Sequence, residues 1–245
     1  MMRVWLTVAF LCAAWPAVAD EKITKQTLSS GGVERAYYLL VPDTAKGKPA
    51  PLIVMLHGSG RNGKILLEHW QGLARKEGIV LVGPDANERQ GWHMLPDGPH
   101  FLHDLVEAVK QSQSIDPKRV YVFGHSAGAI HGLALGVLES EYFAAVAAHA
   151  GVITEDVATF VERAPRKIPI ALWIGTNDRL FPLNLVRSTH KALVSRGFAA
   201  ELTEIKGHTH DYYGRSGSIN KEVWAFLQKH QLEGDPKYQV YNLGK

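Results

Sequence analysis

The pentapeptide GHSAG at residues 124–128 places a serine between two glycines, with one residue on either side. This spacing matches the nucleophile elbow G-x-S-x-G, in which a tight strand-to-helix turn exposes a serine hydroxyl above a sheet. The glycines have a steric reason, because a strand and a helix that pass so closely leave no space for Cβ atoms. We therefore predict that Ser126 is a nucleophile. The pattern fixes only three positions, so an ordinary glycine-bounded turn is an alternative interpretation. Catalytic partners elsewhere in the chain are needed to favour the nucleophile.

The first partner that such a serine needs is a carboxylate. A serine hydroxyl is activated by a base, usually histidine, and a carboxylate orients that base; along an elbow-containing chain the order is serine, acid, histidine. Asp178 follows directly after a predicted strand at residues 168–174. An aspartate that only caps a turn is the ordinary alternative. The position of Asp178 directly after this strand favours the interpretation that it is the acid.

The loop at residues 206–213 offers two candidates for the base, His208 and His210, directly after the last predicted strand. Two solvated histidines are the ordinary interpretation, but that leaves the serine without a base. The residues alone do not choose between them. Three further histidines near predicted loops precede the serine or follow another strand, and we expect structural or substrate-lining roles for them: His57, His93 and His149.

Two backbone amides are candidates for an oxyanion hole. A tetrahedral intermediate carries a negative oxygen that prearranged N–H groups must stabilise. One donor in an elbow is the residue after the serine, here Ala127, and the other comes from the turn after an early central strand. That turn is HGSG at residues 57–60, so we assign Ser59, with a plain tight turn as the alternative.

The aromatic residues of the same loops are candidates for a substrate-lining wall. We expect His57, Trp92 and Tyr212 to line the substrate site, with Tyr213 beside them. Aromatic side chains that only pack the loops are an equally good interpretation.

Apolar runs of strand length alternate with amphipathic helical segments along most of the chain. After a predicted β-hairpin within residues 23–41, we predict strands at 52–56, 79–82, 119–123, 144–148, 168–174 and 200–205, with helices between them. This alternation is typical of an α/β fold with a mostly parallel sheet covered on both faces. The turns that carry the candidate residues then meet at the carboxyl edge of the sheet.

Composition excludes several classes of protein. At 245 residues the chain is long enough for one well-packed domain. The formal charge of +3 comes from interspersed residues, so we expect no nucleic-acid partner. The single cysteine, Cys12, lies in the N-terminal segment, so we expect no disulfides and no thiolate metal sites in the remainder.

The N-terminal segment is typical of a secretory signal peptide. Arg3 precedes an apolar run at residues 4–15, and Ala17 and Ala19 form an A-x-A cleavage site. The run is too short to cross a bilayer as a helix. We therefore predict a signal peptide at 1–19, a catalytic domain at 20–233 and a C-terminal tail at 234–245. The predicted destination is the periplasm or the medium, with no membrane association after cleavage.

Three runs, at residues 52–58, 115–128 and 175–178, closely resemble secreted α/β-hydrolase esterases of the polyhydroxybutyrate depolymerase and feruloyl esterase group. The likeness extends over most of residues 35–230. It implies an α/β-hydrolase fold and a serine carboxylesterase with Ser126 as nucleophile and Asp178 as acid. It also implies Ser59 and Ala127 as oxyanion-hole donors. Ala129 departs from the pattern, since members often have a second glycine there.

The resemblance supports His208 and His210 as the base through two different groups of proteins. Many members carry the base in a Gly-His pair after the final strand, which matches His208, whereas S-formylglutathione hydrolases carry Asp-His-Ser-Tyr-Tyr, which matches residues 209–213. We select His210, because that match extends through both tyrosines, and keep His208 as the alternative.

The expected reaction is ester hydrolysis through an acyl-enzyme on Ser126. About 17 residues, 151–167, separate two central strands, which leaves no space for a large lid. An open site suits bulky, aryl or polymer-linked esters of the feruloyl, acetyl or hydroxyalkanoate type. We expect no cofactor and no metal, because His208 and His210 have no third ligand at suitable spacing. A serine peptidase and a non-catalytic binding protein of the same fold are the alternatives, and the sequence does not indicate the oligomeric state.

Overall fold

The computed structural model describes residues 21–239. The predicted signal peptide and residues 240–245 of the predicted tail lie outside this range. The strands of the described chain are β1 (Thr24–Ser30), β2 (Val33–Leu40), β3 (Ala50–Leu56), β4 (Val80–Pro84), β5 (Ile115–His125), β6 (Ala145–His149), β7 (Ile170–Gly175) and β8 (Ala200–Ile205). The helices are α1 (Gly63–Glu77), α2 (Met94–Asp97), α3 (Pro99–Ser112), α4 (Ala127–Leu138), α5 (Glu155–Arg163), α6 (Leu183–Ser195) and α7 (Ser216–Leu227). Two short 3-10 helices cover Asp43–Ala45 and Tyr213–Arg215.

These strands form one sheet in the order β1-β2-β4-β3-β5-β6-β7-β8. β1 and β2 make an antiparallel hairpin, and β2 pairs antiparallel with β4. The six strands from β3 to β8 are parallel to one another. The predicted hairpin and the predicted mostly parallel sheet are therefore confirmed.

Helices cover both faces of the sheet, as the alternation of strands and helices predicts. Along β3, Leu52 and Val54 pack into a core with α3, while Ile53 packs into a second core with α1. Successive side chains of a strand point to opposite faces, so a strand buried on both faces reads as a continuous apolar run. The LIVML run at 52–56 is such a strand.

The long segment after β4 contains α2 and is held by a buried carboxylate. Asp97 is fully buried and pairs with Arg35 of β2 at 2.5 Å. Its carboxylate also accepts the amides of Asn87 at 2.8 Å and His93 at 3.0 Å. This ion pair positions the segment that leads to Trp92 beside the turn after β3. We find no helix within residues 21–239 of the length and apolar character needed to cross a membrane.

Candidate active site

Ser126 lies in the tight turn between β5 and α4. Its backbone has φ 57° and ψ −121°, a conformation that non-glycine residues rarely adopt. The neighbouring glycines are required by space, because a Cβ at Gly124 would lie 2.1 Å from the carbonyl oxygen of Gly128. A Cβ at Gly128 would lie 2.1 Å from the carbonyl oxygen of Leu56. The strand-to-helix turn predicted from the G-x-S-x-G pattern is therefore present.

His210 contacts both Ser126 and Asp178. The Ser126 hydroxyl donates to His210 Nε2 at 2.9 Å, and His210 Nδ1 donates to Asp178 Oδ2 at 2.8 Å. The His210 side chain is 21% exposed, whereas the Asp178 side chain is fully buried. A hydroxyl, an imidazole and a carboxylate in this series can move a proton from the serine to the histidine and stabilise the resulting imidazolium.

The Asp178 carboxylate is held from the side opposite to His210. Its Oδ1 accepts the backbone amides of Leu180 and Phe181, both at 2.9 Å. The Phe181 ring in turn stacks on His210, with ring centroids 5.5 Å apart and an angle of 4° between the planes. The turn after β7 therefore orients the imidazole through both a hydrogen bond and a ring contact.

His208 takes a different position, although it lies only two residues before His210. Its side chain is buried, and its Nε2 lies 3.3 Å from Nε2 of His149. Burial lowers its pKa, and the positive charge of Arg215 lowers it further. Within the described chain, His208 has no hydrogen bond to Ser126.

The backbone amides of Ser59 and Ala127, the two predicted oxyanion donors, belong to residues close to Ser126. Ser59 lines the same cavity as Ser126, and a Cβ at Gly58 would lie 3.3 Å from the Ser126 Cβ, so the two turns are in contact. Ala127 is the first residue of α4, where amides have no partner inside the helix. Among residues 21–239 we find no protein acceptor for the amide of Ser59 or Ala127. Both donors are available to a ligand.

The cavity at Ser126 has a volume of about 430 Å³ and opens to solvent. Its walls include Ser59, Arg61, Leu180, Asp211 and Tyr213. A second depression of about 770 Å³ adjoins it on the other side of His210, along Asn177, Arg179 and Thr209. The arrangement is a shallow, open site and not a closed tunnel.

Of the predicted substrate-lining residues, Tyr213 lines this cavity, whereas His57, Trp92 and Tyr212 do not. His57 is buried, donates from Nδ1 to the Gly58 carbonyl at 2.9 Å and accepts the Ala86 amide at 3.2 Å. The indole N–H of Trp92 donates to the His57 carbonyl at 2.8 Å. Both side chains therefore support the Ser59 turn from behind. Of the other predicted rim histidines, His93 is exposed near Glu88 and His149 is buried.

The expectation for Tyr212 is also wrong, since its side chain is fully buried. Its hydroxyl accepts the indole N–H of Trp70 at 2.7 Å and donates to the Asn220 side chain. Tyr213, the next residue, lines the cavity instead, with the Arg61 guanidinium 5.2 Å from its ring centre. In this irregular loop no periodicity indicates which of two adjacent tyrosines faces solvent. Sequence reasoning also missed Arg61 and Leu180, for which no motif gave a signal.

No group of three or more histidine, cysteine, aspartate or glutamate side chains in the described part of the chain is arranged to hold a metal ion.

The chain is similar to known proteins both in sequence and in fold. Curated relatives include NocK of Nocardia uniformis subsp. tsuyamanensis, a candidate esterase, which is 28% identical over 182 residues, or 68% of this chain and 52% of NocK. The bifunctional acetylxylan esterase/xylanase XynS20E of Neocallimastix patriciarum is 30% identical over 133 residues, or 53% of this chain and 19% of the relative. The chain thus spans about half, or less, of the length of these relatives.

Solved structures share the fold. A ferulic acid esterase superimposes with a TM-score of 0.67 at 17% identity, covering 84% of this chain and 98% of its own. An S-formylglutathione hydrolase from Agrobacterium tumefaciens gives 0.67 at 18% identity, covering 84% of this chain and 94% of its own. The predicted α/β-hydrolase fold is confirmed, and in fold the chain resembles a ferulic acid esterase and an S-formylglutathione hydrolase, as its sequence motifs indicate. The phospholipase/carboxylesterase family model matches residues 81–231, a span that contains the elbow and both candidate histidines, and the chain belongs to that family.

Proposed function

We propose that this protein is a serine carboxylesterase. The observation that carries the proposal is the unbroken series of hydrogen bonds from the Ser126 hydroxyl through His210 to the buried Asp178 carboxylate. The elbow backbone of Ser126 and its position in the lining of an open cavity support it further. Membership of the phospholipase/carboxylesterase family agrees with this chemistry.

In the proposed mechanism, His210 Nε2 takes the proton as the Ser126 oxygen attacks the ester carbonyl. Asp178 stabilises the imidazolium, and the amides of Ser59 and Ala127 donate to the tetrahedral oxyanion. His210 then protonates the alcohol oxygen as the C–O bond breaks, which leaves an acyl-enzyme. A water molecule, deprotonated by His210, hydrolyses the acyl-enzyme and restores Ser126. Loss of one oxyanion donor of this kind costs about 10²- to 10³-fold in kcat.

We propose bulky, aryl or polymer-linked esters as the substrates. The open cavity leaves space for a substrate that extends beyond it, and Tyr213 together with the 70%-exposed Leu180 offers apolar surface at its edge. The similarity to an acetylxylan esterase/xylanase and to a ferulic acid esterase agrees with acetyl or feruloyl groups on plant polysaccharide. Hydroxyalkanoate oligomers fit the same open site.

The test is a substrate panel with the wild type and the Ser126→Ala variant. We expect the wild type to hydrolyse p-nitrophenyl, feruloyl, acetylxylan or hydroxybutyrate esters and the variant to be inactive. Labelling by a fluorophosphonate should occur in the wild type and be absent in the variant. Activity on peptides alone would indicate the peptidase alternative, and absence of both labelling and turnover would indicate a binding protein.

We also propose that the protein is exported and that residues 1–19 are removed, since a charged start, an apolar run and an A-x-A site occur together. Mass spectrometry of the protein recovered from the periplasm or the medium should give an N-terminus at Asp20. Recovery of only the full chain in the cytoplasm would contradict the export proposal and leave the esterase proposal untouched.

A further inference from the structure

Three buried imidazoles form a row behind Ser126. His125 Nδ1 lies 3.1 Å from His149 Nδ1, and His149 Nε2 lies 3.3 Å from His208 Nε2. The three residues are 4%, 0% and 6% exposed. Both links are of hydrogen-bond length, so His149 joins the other two histidines through its two ring nitrogens.

This row connects three turns at the carboxyl edge of the sheet. His125 ends β5 and directly precedes Ser126, while His149 ends β6 and is the register partner of His125. His208 lies in the loop after β8, two residues before His210. The elbow and the loop with the candidate base are thus linked through a residue of a third strand.

Strained backbone occurs at the same two strand ends. Ser126 (φ 57°) and Ala150 (φ 54°) are the non-glycine residues with positive φ in the described part of the chain. Ser126 follows His125, and Ala150 follows His149. The Ser126 amide also donates to the His149 carbonyl at 3.0 Å. Such conformations cost about 1–3 kcal/mol each and persist only where neighbouring contacts hold them. The row supplies such contacts.

The row is built from neutral rings. Burial lowers the pKa of His125 to about 3 and the pKa of His149 well below its ordinary value. A neutral imidazole has one N–H donor and one acceptor nitrogen, so His149 must donate to one neighbour and accept from the other. The side chains of the row make no ion pair with a carboxylate in the described chain. Its links are directional hydrogen bonds between uncharged groups.

We propose that His149 is a positioning residue that holds the Ser126 turn and the His210 loop in register. It acts through His125 and His208, and it lines neither the Ser126 cavity nor the adjoining depression. Its function is to keep the Ser126 hydroxyl within hydrogen-bond distance of His210 Nε2. This inference rests on the proposed esterase function.

Three substitutions of His149 separate the two links. His149→Phe retains a ring of similar size and removes both hydrogen bonds. His149→Asn places an amide near the position of Nδ1 and retains the link toward His125, whereas His149→Gln places it near Nε2 and retains the link toward His208. A misplacement of about 1 Å between reacting groups costs about 100-fold in rate.

We expect His149→Phe to lower kcat by about 10- to 100-fold, with KM changed less than about twofold, because His149 itself does not line the cavity. His149→Asn and His149→Gln should each recover part of kcat. Imidazole added to His149→Gly, which leaves a ring-sized space, should also recover part of it. These measurements keep the proposal testable if His149→Phe folds poorly.

The control is His190→Phe, since His190 bonds one backbone carbonyl, that of Ala200, at the opposite edge of the sheet. It should keep wild-type kcat and KM. The proposal that His149 is a positioning residue is overturned if folded His149→Phe keeps wild-type kcat. It is also overturned if all variants lose kcat only in proportion to their loss of folded protein, with no recovery by Asn, Gln or imidazole. An inactive wild type, compared alongside Ser126→Ala, would instead overturn the esterase proposal.

Discussion

His208 and His210 occupy the same loop, two residues apart, and have opposite environments. His210 is partly exposed and hydrogen-bonds to a carboxylate, whereas His208 is buried and faces another imidazole. A carboxylate partner stabilises the imidazolium that forms when a base takes a proton, and burial without such a partner keeps the ring neutral. The comparison teaches that the partner and the solvent access of a histidine, not its position in a motif, suit it to be a base.

The largest expected effect comes from exchanging each histidine for alanine. His210→Ala removes the proposed base, and kcat/KM should fall by about 10⁵- to 10⁶-fold, as in serine hydrolases that lose this residue. His208→Ala should lower it by less than about 100-fold, because His208 acts only through its neighbours. Steady-state kinetics on a p-nitrophenyl ester measures both. The opposite ranking would show that His208 is the base.

The second-largest expected effect comes from replacing Asp178, whose carboxylate contacts His210 and, within the described chain, has no counterpart hydrogen-bonded to His208. Asp178→Asn keeps the size of the side chain and the amide contacts of Oδ1, but it no longer offers a charged acceptor to His210 Nδ1. We expect kcat to fall by about 10⁴-fold, as for the equivalent exchange in other triads. A loss of less than tenfold, with folding intact by circular dichroism, would mean that Asp178 is not the acid.

The buried row should make the protein sensitive to acid. Burial depresses the pKa of His149, so the unfolded chain binds a proton below about pH 6.5 that the folded chain does not. Stability therefore falls as pH falls through this range. His149→Phe should reduce the slope of unfolding free energy against pH between about pH 6.5 and 4.5, by at most about 1.4 kcal/mol per pH unit. Urea unfolding at these pH values measures it, and an unchanged slope would contradict a neutral His149.

The smallest expected effect is at the residue that anchors the loop of both histidines. Tyr212→Phe removes a buried hydroxyl that accepts from Trp70 and donates to Asn220. Leaving these two groups without a partner should lower the unfolding free energy by about 1–3 kcal/mol. We expect kcat to change less than about threefold, since the ring that stacks on His125 remains. Tyr213→Phe is the matched control and should change stability by less than about 0.5 kcal/mol. A large loss of kcat in folded Tyr212→Phe would contradict this purely anchoring role.

Much of the fold could be predicted because its signals are local. The buried strand at 52–56 and the Gly124 and Gly128 positions depend on neighbours close in sequence, and the structure contains the strand and the turn that they predict. The α2 helix was missed, since it lies in a segment held by the pair of Asp97 with Arg35, 62 residues away. The prediction that Tyr212 lines the substrate site was wrong for a similar reason, because the direction of its side chain depends on Trp70, 142 residues away.

By itself, the sequence determined the order of strands and helices, the turn at Ser126 and the strand ends after which Asp178 and the two histidines follow. Periodicity and glycine spacing carry this information, because both act over a few residues. Only the tertiary structure decided which histidine reaches Ser126, which tyrosine faces the cavity and that His149 joins two loops. Side-chain direction in an irregular loop is set by packing against distant strands and helices, and that packing exists only once the chain has folded.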